Sequence, residues 1–359
     1  MVKVGVYMEL INNSMYLEDV KKIAHLDYRW NILKDKNFVI TGATGLIGSF
    51  LIDVLMYKNK TESLNCTIYA IGRNKEKAER RFKSYFQSTH FIFLEKNINA
   101  PFDIELDHID FLLHAASNTH PKAYATDPIG TITANVIGLN RLLEIASQKQ
   151  NKRFIFLSSV EIYGENRGDT DKFSEDYLGY INCNTLRADY PESKRVGESL
   201  CQAYIAQKNM DILIPRLSRV YGPSMLKNDS KALSQFIHKA LNNEDIVLKS
   251  EGTQYYSYSY VADAVSGIFK ILFDGKNGEA YNLSNPESDV HLKDLANTIA
   301  ETVHRKVVFE LPDEIEKAGY STATTAILDT EKIQKLGWEP HFDLTTGIEH
   351  TIKILKEDE

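Results

Sequence analysis

The chain has 359 residues, of which 43% are hydrophobic and 25% charged, and its formal net charge is −7. A single hydrophobic core stops growing near ~250–300 residues, so we expect two domains, or one large domain with a lobe. The acidic balance argues against a nucleic-acid partner, and the absence of an apolar run of ~18 residues argues against a membrane span.

The three cysteines, Cys66, Cys183 and Cys201, are dispersed along the chain. Their number and spacing suit a reducing compartment and do not form a metal-ligand pattern. The first 22 residues contain no long apolar segment followed by a small-residue cleavage site. We therefore expect a cytoplasmic protein without a bound metal.

Residues 1–36 form a predicted amino-terminal extension, with the amphipathic stretch LEDVKKIAHL at 17–26. From residue 37, apolar strand patterns such as NFVIT, TIYAI, FIFLE, DFLLHAA and FIFLSSV alternate with helical patterns. Unbroken apolar strands separated by helices are typical of a parallel sheet with helices on both faces. We therefore predict a Rossmann-type, doubly wound α/β domain over residues 37–215 that binds a dinucleotide.

After ILIPRLSRVYGP, at 212–223, the pattern changes to longer helices, polar loops and short strands. We predict that residues 216–359 form mainly a smaller carboxyl-terminal α/β lobe that binds the substrate. A helical pattern near 260–274 is expected to return to the dinucleotide-binding domain.

The stretch NFVITGATGLIGSF places glycines at 42, 45 and 48, between a strand and a helix. Glycines allow a tight turn and a close approach of the backbone to a pyrophosphate, whose charge a helix amino terminus favours. The strand before the glycines and the helix after them support a dinucleotide-binding turn. The predicted cofactor-binding residues of this turn are Gly42, Thr44, Gly45, Leu46, Ile47 and Gly48.

The second strand ends in TIYAIGRNKEK, with Gly72 where an acidic residue would bind the ribose of NAD, followed by Arg73. An arginine here accommodates the 2′-phosphate of NADP, so we predict NAD or NADP, with Arg73 favouring NADP. The alternative is that Arg73 belongs only to the charged start of the next helix. Further predicted cofactor residues follow the next strands: Asn97, Ile98, Ala115, Ala116 and Ser117.

YPESK places Tyr190 and Lys194 four residues apart, on one face of a predicted helix. A free tyrosine has a pKa near ~10 and is a poor base at neutral pH. A lysine cation and a nicotinamide ring both favour the phenolate and would make Tyr190 a usable base. An exposed helix face is the alternative for this pair alone, but a glycine turn far upstream and SSVEIYG between them favour an active site.

These motifs together resemble the extended short-chain dehydrogenases/reductases, the NAD(P)-dependent nucleotide-sugar epimerases, dehydratases and decarboxylases. The resemblance runs from about residue 37 to about residue 347 and rests on TGATGLIG, HAAS, NVIG, SSVEIYG, YPESKRVGE, RVYGP, YSYVADAVSG and LGWEP. Within the family, the stretch HAASNTHPKAYATDPIGTITANVIGLNRLLE is most like the UDP-glucuronate decarboxylase group.

The resemblance implies roles for particular residues. Tyr190 and Lys194 would be the base pair, and Ser159 would hydrogen-bond the reacting hydroxyl. Glu161 occupies the position of the catalytic glutamate of dehydratases and decarboxylases. The resemblance also implies that Asn135 helps to hold the cofactor. Predicted substrate-binding residues are Ser117, Tyr124, Ser159, Arg219 and Tyr256.

Three positions depart from the family pattern. Val160 replaces the aspartate that family 4,6-dehydratases commonly have before the glutamate, which disfavours a dehydratase of that type. Tyr256 replaces an arginine that holds the diphosphate or the sugar acid, which counts against UDP-glucuronate as the substrate. Arg219 replaces an asparagine, and we hypothesise that it supplies the cationic contact that Tyr256 cannot; an exposed loop arginine is the alternative.

The predicted function is an enzyme that modifies a nucleotide sugar through a transient 4-keto intermediate, in the synthesis of a polysaccharide or glycoconjugate precursor. Glu161 favours decarboxylation or dehydration as the outcome. A 4-epimerase is the first alternative, and a catalytically silent dinucleotide-binding sensor is the second. By resemblance, helices near 129–147 and 190–207 would form the interface of a homodimer.

Overall fold

In a computed structural model, the described residues are 9–119, 121–225, 229–310, 312 and 323–357. The helices are α1 (Ser14–Ala24), α2 (Leu46–Glu62), α3 (Lys75–Arg81), α4 (Pro121–Thr126), α5 (Pro128–Thr133), α6 (Leu139–Gln148), α7 (Asp189–Lys208), α8 (Ala232–Leu241), α9 (Val261–Asp274), α10 (Leu292–Thr302), α11 (Glu331–Gln334) and α12 (Leu344–Glu357). The strands are β1 (Asn37–Thr41), β2 (Thr67–Gly72), β3 (Phe91–Glu95), β4 (Phe111–His114), β5 (Arg153–Phe156), β6 (Ser158–Ser159), β7 (Ile212–Leu217), β8 (Arg219–Tyr221), β9 (Ile246–Leu248), β10 (Tyr255–Tyr260), β11 (Ala280–Leu283), β12 (Asp289–His291), β13 (Val307–Phe309) and β14 (Thr325–Ala326).

An eight-stranded sheet forms the centre of the molecule. Its strands are parallel and follow the order β11–β7–β5–β4–β1–β2–β3, with β6 paired to β7. The order reverses at β1, which lies between β2 and β4, and ligands of such sheets bind beyond the carboxyl ends of the strands at that point. The predicted Rossmann-type α/β fold is confirmed.

The buried apolar strands explain why the sequence pattern predicted this sheet. Phe38, Val39 and Ile40 of β1 are each at most 1% exposed, because helices cover both faces of a parallel sheet. His114, at the end of β4, is also buried and hydrogen-bonds through Nδ1 to the hydroxyl of Thr41 at 2.8 Å. The carboxyl ends of β1 and β4 therefore carry hydrogen-bonded polar side chains, whereas the residues just before them in these strands are apolar.

Two helical patterns are interrupted in the structure. The stretch KEKAERRFKSYF is helical only to Arg81, and a 3₁₀ turn follows at Tyr85–Gln87. The long pattern from residue 131 to 148 contains a π-helical turn at Ala134–Gly138, between α5 and α6. Such turns often mark functional sites in helices, and this one carries Asn135.

The amino-terminal extension packs onto the sheet domain. Helix α1 contacts α2, α9 and α12, and its residues Tyr16, Val20 and Ile23 are fully buried. The hydroxyl of Tyr16 donates to Asp53 of α2 at 2.5 Å, and Arg81 also pairs with Asp53. The extension is thus part of the folded core.

A smaller layer follows in the carboxyl-terminal part. Strand β10 pairs with β12, β14 and β8, and β9 pairs with β13. Strand β11 belongs to the large sheet, and α9 packs against β7 and β11 of that sheet. Within the described ranges, every helix is too short or too polar to cross a membrane.

Candidate active site

A cavity of about 500 Å³ lies between the carboxyl ends of the large sheet's strands and the carboxyl-terminal layer. It extends from the turn after β1 to β8 and β10. The predicted site residues that line it are Gly42, Thr44, Gly45, Leu46, Ile47, Gly48, Arg73, Asn97, Ile98, Ala115, Ala116, Ser117, Tyr124, Ser159, Glu161, Tyr190, Arg219 and Tyr256. Asn135 and Lys194 do not line the cavity.

The turn between β1 and α2 forms one end of the cavity. The backbone around this turn leaves no room for a side chain at Gly42 or Gly48. Gly42 has φ +68°, and a Cβ there would lie 2.7 Å from the carbonyl carbon of Ala115. A Cβ on Gly48 would lie 2.5 Å from the Gly42 oxygen. The backbone is therefore open at the amino terminus of α2, where helix N–H groups and the helix dipole favour a phosphate. This cradle fits the pyrophosphate of a dinucleotide.

Three cationic side chains line the cavity near the end of β2. Arg73 was predicted from the sequence, and Lys77 and Lys96 lie with it along the cavity wall. Burial and the neighbouring charges of Arg73, Arg80 and Arg81 lower the pKa of Lys77. Lys77 lies in the first turn of α3, shortly after Arg73, and this closeness in the sequence is a signal that could have indicated it.

Tyr190 and Lys194 lie on the first turns of α7 and are both buried. Burial raises the pKa of Tyr190 to about 12, although a hydrogen bond with Ser159 acts in the opposite direction. Burial lowers the pKa of Lys194 to about 7. The ammonium of Lys194 donates to the carbonyl of Leu157 at 2.7 Å and lies 5.7 Å from the centre of the Tyr190 ring. Lys194 thus stands behind Tyr190 as seen from the cavity.

Asn135 supports the same helix from the π-helical turn. Its amide nitrogen donates to Ser193 at 2.9 Å, and the hydroxyl of Ser193 donates to the carbonyl of Tyr190 at 2.8 Å. The side-chain oxygen of Asn135 is buried and accepts no hydrogen bond from any residue that the structure describes. The structure therefore places Asn135 where it positions α7.

Glu161 lies in a 3₁₀ turn, Val160–Tyr163, that follows β6 directly. The hydroxyl of Ser159 accepts a hydrogen bond from the backbone N–H of Glu161 at 3.2 Å. The carboxylate pairs with Arg187 at 2.7 Å and with Arg219 at 3.7 Å. Burial alone would raise the pKa of Glu161, but the charges of Arg187 and Arg219 outweigh burial and hold it below its ordinary value. Glu161 is therefore ionised at neutral pH.

Aromatic rings support both arginines. Tyr124 stacks on Tyr190 with ring centres 5.0 Å apart, and Arg187 lies 4.8 Å from the Tyr124 ring centre. Arg219 lies 3.5 Å from the ring centre of Tyr256. The two ring-supported guanidinium groups pair with different oxygens of the Glu161 carboxylate.

Arg187 is the functional candidate that the sequence reasoning missed. It lies in the 3₁₀ turn Leu186–Ala188, immediately before α7, and lines the cavity. Its position three residues before Tyr190 is the one available signal. The pairing with Glu161, 26 residues away in the chain, carries no sequence signature.

A glycine cradle and a buried tyrosine–lysine pair at the carboxyl edge of a parallel sheet define a dinucleotide-dependent α/β enzyme. The model of the family described as the NAD dependent epimerase/dehydratase family matches residues 38–284, and the chain belongs to this family. The predicted family and the predicted class of NAD(P)-dependent nucleotide-sugar-modifying enzyme are confirmed.

Two relatives illustrate the range of similarity. A UDP-glucuronic acid decarboxylase of Arabidopsis thaliana is 31% identical over 325 residues, which cover 89% of this chain and 88% of the relative. A UDP-glucuronic acid decarboxylase of Danio rerio is 28% identical and covers 90% of this chain and 73% of its own length.

The fold is also that of a UDP-glucuronic acid 4-epimerase from Bacillus cereus, solved with UDP-glucuronic acid and NAD. The TM-score is 0.76 at 22% identity, covering 89% of this chain and 99% of that one. This similarity establishes the architecture of the sheet and the lobe.

Proposed function

We propose that the protein is an NAD(P)-dependent decarboxylase of a nucleotide-activated hexuronic acid, which works through a transient 4-keto sugar. The observation that carries the proposal is the position of Tyr190, Ser159 and the Glu161–arginine cluster in the cavity that also contains the glycine cradle. The decarboxylase relatives in plants and fish support the same outcome.

The side chains of the cavity can carry the proton transfers of this reaction. When bound, the cofactor accepts a hydride and later returns it. Tyr190 removes the proton of the sugar 4-hydroxyl, and Ser159 holds that hydroxyl by a hydrogen bond. Lys194 in its cationic form, 5.7 Å from the Tyr190 ring centre, favours the phenolate, while burial acts in the opposite direction and raises the pKa of the tyrosine.

The 4-ketone then allows carbon dioxide to leave. The bond from C5 to the carboxylate carbon breaks, and its electron pair moves towards the C4 oxygen, where Tyr190 lies ready to donate its proton. C5 then takes up a proton from solvent water that Glu161 orients, as the C4 enol returns its proton to Tyr190 and the ketone forms again. The stacked position of Arg219 over Tyr256 restores a cation where the family arginine is missing.

A 4-epimerase is the second candidate, and the ion pairs of Glu161 favour it. A carboxylate whose pKa is held down by two arginines is a weak base. In an epimerase, Glu161 would only orient these arginines, and the substrate would keep its carboxylate.

The proposed cofactor preference is NADP over NAD. Arg73, Lys77 and Lys96 provide positive charge at the end of β2, where Gly72 supplies no carboxylate to bind a free ribose hydroxyl. A phosphate at this point would neutralise part of the mutual repulsion that lowers the pKa of Lys77.

We also propose a homodimer that forms through α5 and α7, which pack side by side. Ile129 and Ile132 of α5 and Val196 of α7 are 76%, 43% and 46% exposed. Exposed apolar side chains on adjacent helices are typical of an interface. A cytoplasmic location, where the free cysteines would stay reduced, belongs to the same proposal.

The test is a panel of nucleotide sugars, each incubated with the purified protein and either NAD or NADP, with mass spectrometry of the products. A product lighter by carbon dioxide from UDP-glucuronate supports the decarboxylase. An unchanged mass with a new epimer supports the second candidate, and a product lighter by water supports a dehydratase. If no nucleotide sugar is converted, the remaining candidate is the catalytically silent dinucleotide-binding sensor.

A further inference from the structure

We infer that Arg187 is the specificity-determining residue that recognises the carboxylate of the sugar. This inference rests on the proposed function, because it assigns a residue to the recognition of a hexuronic acid. Two features of Arg187 support the inference: a buried hydrogen-bond donor that is unpaired within the described residues, and its position in the cavity. The proton transfers proposed above require neither.

The first observation is that the arginine cluster has unused hydrogen-bond donors. Arg187 donates to Glu161 through Nη2, while its Nε is buried without a hydrogen-bond partner among the described residues. In the same described part of the chain, Arg219 has a buried Nη1 without a partner. A buried donor without a partner is costly, so a ligand that supplies acceptors at this point would gain binding free energy.

The second observation is the distance of Arg187 from the reacting centre. The guanidinium of Arg187 lies 4.8 Å from the ring centre of Tyr124, and that ring stacks on Tyr190 with ring centres 5.0 Å apart. The sugar 4-hydroxyl must reach Tyr190, and the carboxylate of a hexuronic acid is attached to the adjacent carbon, C5. The ligand oxygens closest to Arg187 would therefore be those of the carboxylate.

The third observation concerns selectivity among anions. The diphosphate is attached to C1, across the sugar ring from C4, so it lies on the far side of the ring from the hydroxyl that reaches Tyr190. Among the described residues, Glu161 is the one carboxylate within ion-pair distance of either arginine. Arg187 is planar and rigidly supported, so it suits a carboxylate better than a hydroxymethyl group.

The test measures binding in a variant that cannot turn over, Tyr190→Phe. In this background, Arg187→Met should weaken the binding of UDP-glucuronate about tenfold to a hundredfold, the loss of a hydrogen bond to a charged group. The binding of UDP-glucose should change less than about threefold, because a hydroxymethyl group does not use the cation. Isothermal titration calorimetry with cofactor present gives both constants.

Arg195→Met is the matched control, because Arg195 lies on the same helix, is 37% exposed and is outside the cavity lining. It should leave both constants unchanged. Arg187→Lys keeps a charge beside Glu161 but loses the planar donors, and it covers the case in which Arg187→Met does not fold. It should also bind UDP-glucuronate more weakly while UDP-glucose is unaffected.

A further variant tests whether Arg187 binds the sugar carboxylate or only holds Glu161 in place. In the double variant Tyr190→Phe, Glu161→Gln, the further change Arg187→Met should still weaken the binding of UDP-glucuronate and leave the binding of UDP-glucose unchanged. If the effect of Arg187→Met disappears in this background, Arg187 only holds Glu161, and the inference is wrong.

If Arg187→Met lowers the affinity for UDP-glucuronate, UDP-glucose and UDP equally, Arg187 binds the diphosphate. That result also overturns the inference. A failure of the proposed function gives a different result. In that case the unaltered enzyme releases no carbon dioxide from UDP-glucuronate, whatever the binding constants of the variants are.

Discussion

The contacts of Glu161 allow the two steps of the proposed reaction, oxidation at C4 and chemistry at C5, to be tested separately. Its backbone N–H is bonded to Ser159, which serves the 4-hydroxyl, while its carboxylate is held by Arg187 and Arg219. Oxidation at C4 requires Ser159 and Tyr190 but not the carboxylate. Chemistry at C5 requires the charge and placement of the carboxylate.

Glu161→Gln should therefore leave oxidation at C4 largely intact and slow the step at C5. A positioned acid–base group contributes about 10²–10⁴-fold, so we expect carbon dioxide release to fall by that factor. Reduced nicotinamide, followed by its absorbance, should accumulate in place of product. Glu165→Gln is the control, since Glu165 is outside the cavity lining. Normal turnover of Glu161→Gln would make Glu161 structural and favour the epimerase.

His114 determines part of the pH dependence of stability. Burial, together with the charge of Lys194, lowers its pKa to about 3 from an ordinary value of 6.5. As pH falls below 6.5, the unfolded chain takes up a proton at this residue and the folded chain does not. The stabilisation of the neutral folded form is therefore present above the unfolded pKa and is lost as pH falls towards 3.

Replacing His114 with Asn removes this titration while keeping a polar atom near Thr41. Between pH 7 and pH 5, the free energy of unfolding of the unaltered protein should fall by about 2 kcal/mol more than that of the variant. Urea denaturation at both pH values provides the measurement. Parallel losses in the two proteins would contradict the assignment.

At the scale of single residues, the sequence was informative wherever a motif has local spacing. The glycine turn and the Tyr190–Lys194 pair depend on contacts within one turn or one helix. Arg187 could not be predicted because its contact with Glu161 depends on how the irregular segment 164–185 folds back. The stacking of Arg219 on Tyr256 likewise depends on the pairing of β8 with β10.

At the scale of elements, the turn between β1 and α2 has no room for a methyl group at Gly42. Gly42→Ala should weaken NADP binding at least about tenfold and lower Tm, because a positive φ costs about 1–2 kcal/mol and the Cβ also meets Ala115. Gly168→Ala is a matched control, since Gly168 has φ +80° with no atom within 4 Å of an added Cβ. It should show the backbone strain alone, with unaltered cofactor binding. Equal NADP affinities in the two variants would show that the close approach at Gly42 does not matter.

The elements themselves were largely predictable, because a parallel sheet buried on both faces needs continuous apolar strands. The π-helical turn at Ala134–Gly138 was not. An extra residue in a helical turn is stabilised by tertiary packing, and a Cβ on Gly138 would approach Ile98 to 3.0 Å. Amphipathic spacing indicated a helix near residues 17–26, but not that it would dock on α2 and α9.

For the whole molecule, the proposed α5–α7 interface predicts a dimer that one charge can disrupt. Ile129→Lys should give a monomer in sedimentation velocity at micromolar concentration, because a symmetric interface would bury the added charge twice in apolar surroundings. Ile92→Lys is the control, because Ile92 is 37% exposed on β3, away from these helices. A monomeric unaltered protein, or a dimeric Ile129→Lys variant, would contradict the proposal.

The position of α1 also has a consequence for the order in which the chain folds during synthesis. Helix α1 precedes the other described α-helices in the chain, yet two of the helices that it contacts, α9 (Val261–Asp274) and α12 (Leu344–Glu357), are synthesised much later. At ~5–20 residues per second, the ribosome needs on the order of tens of seconds to reach them. A helix of 11 residues is not stable alone in water. Helix α1 therefore has α2 to dock on early in synthesis, but the surface that buries it is completed only after α9 and α12 have been synthesised.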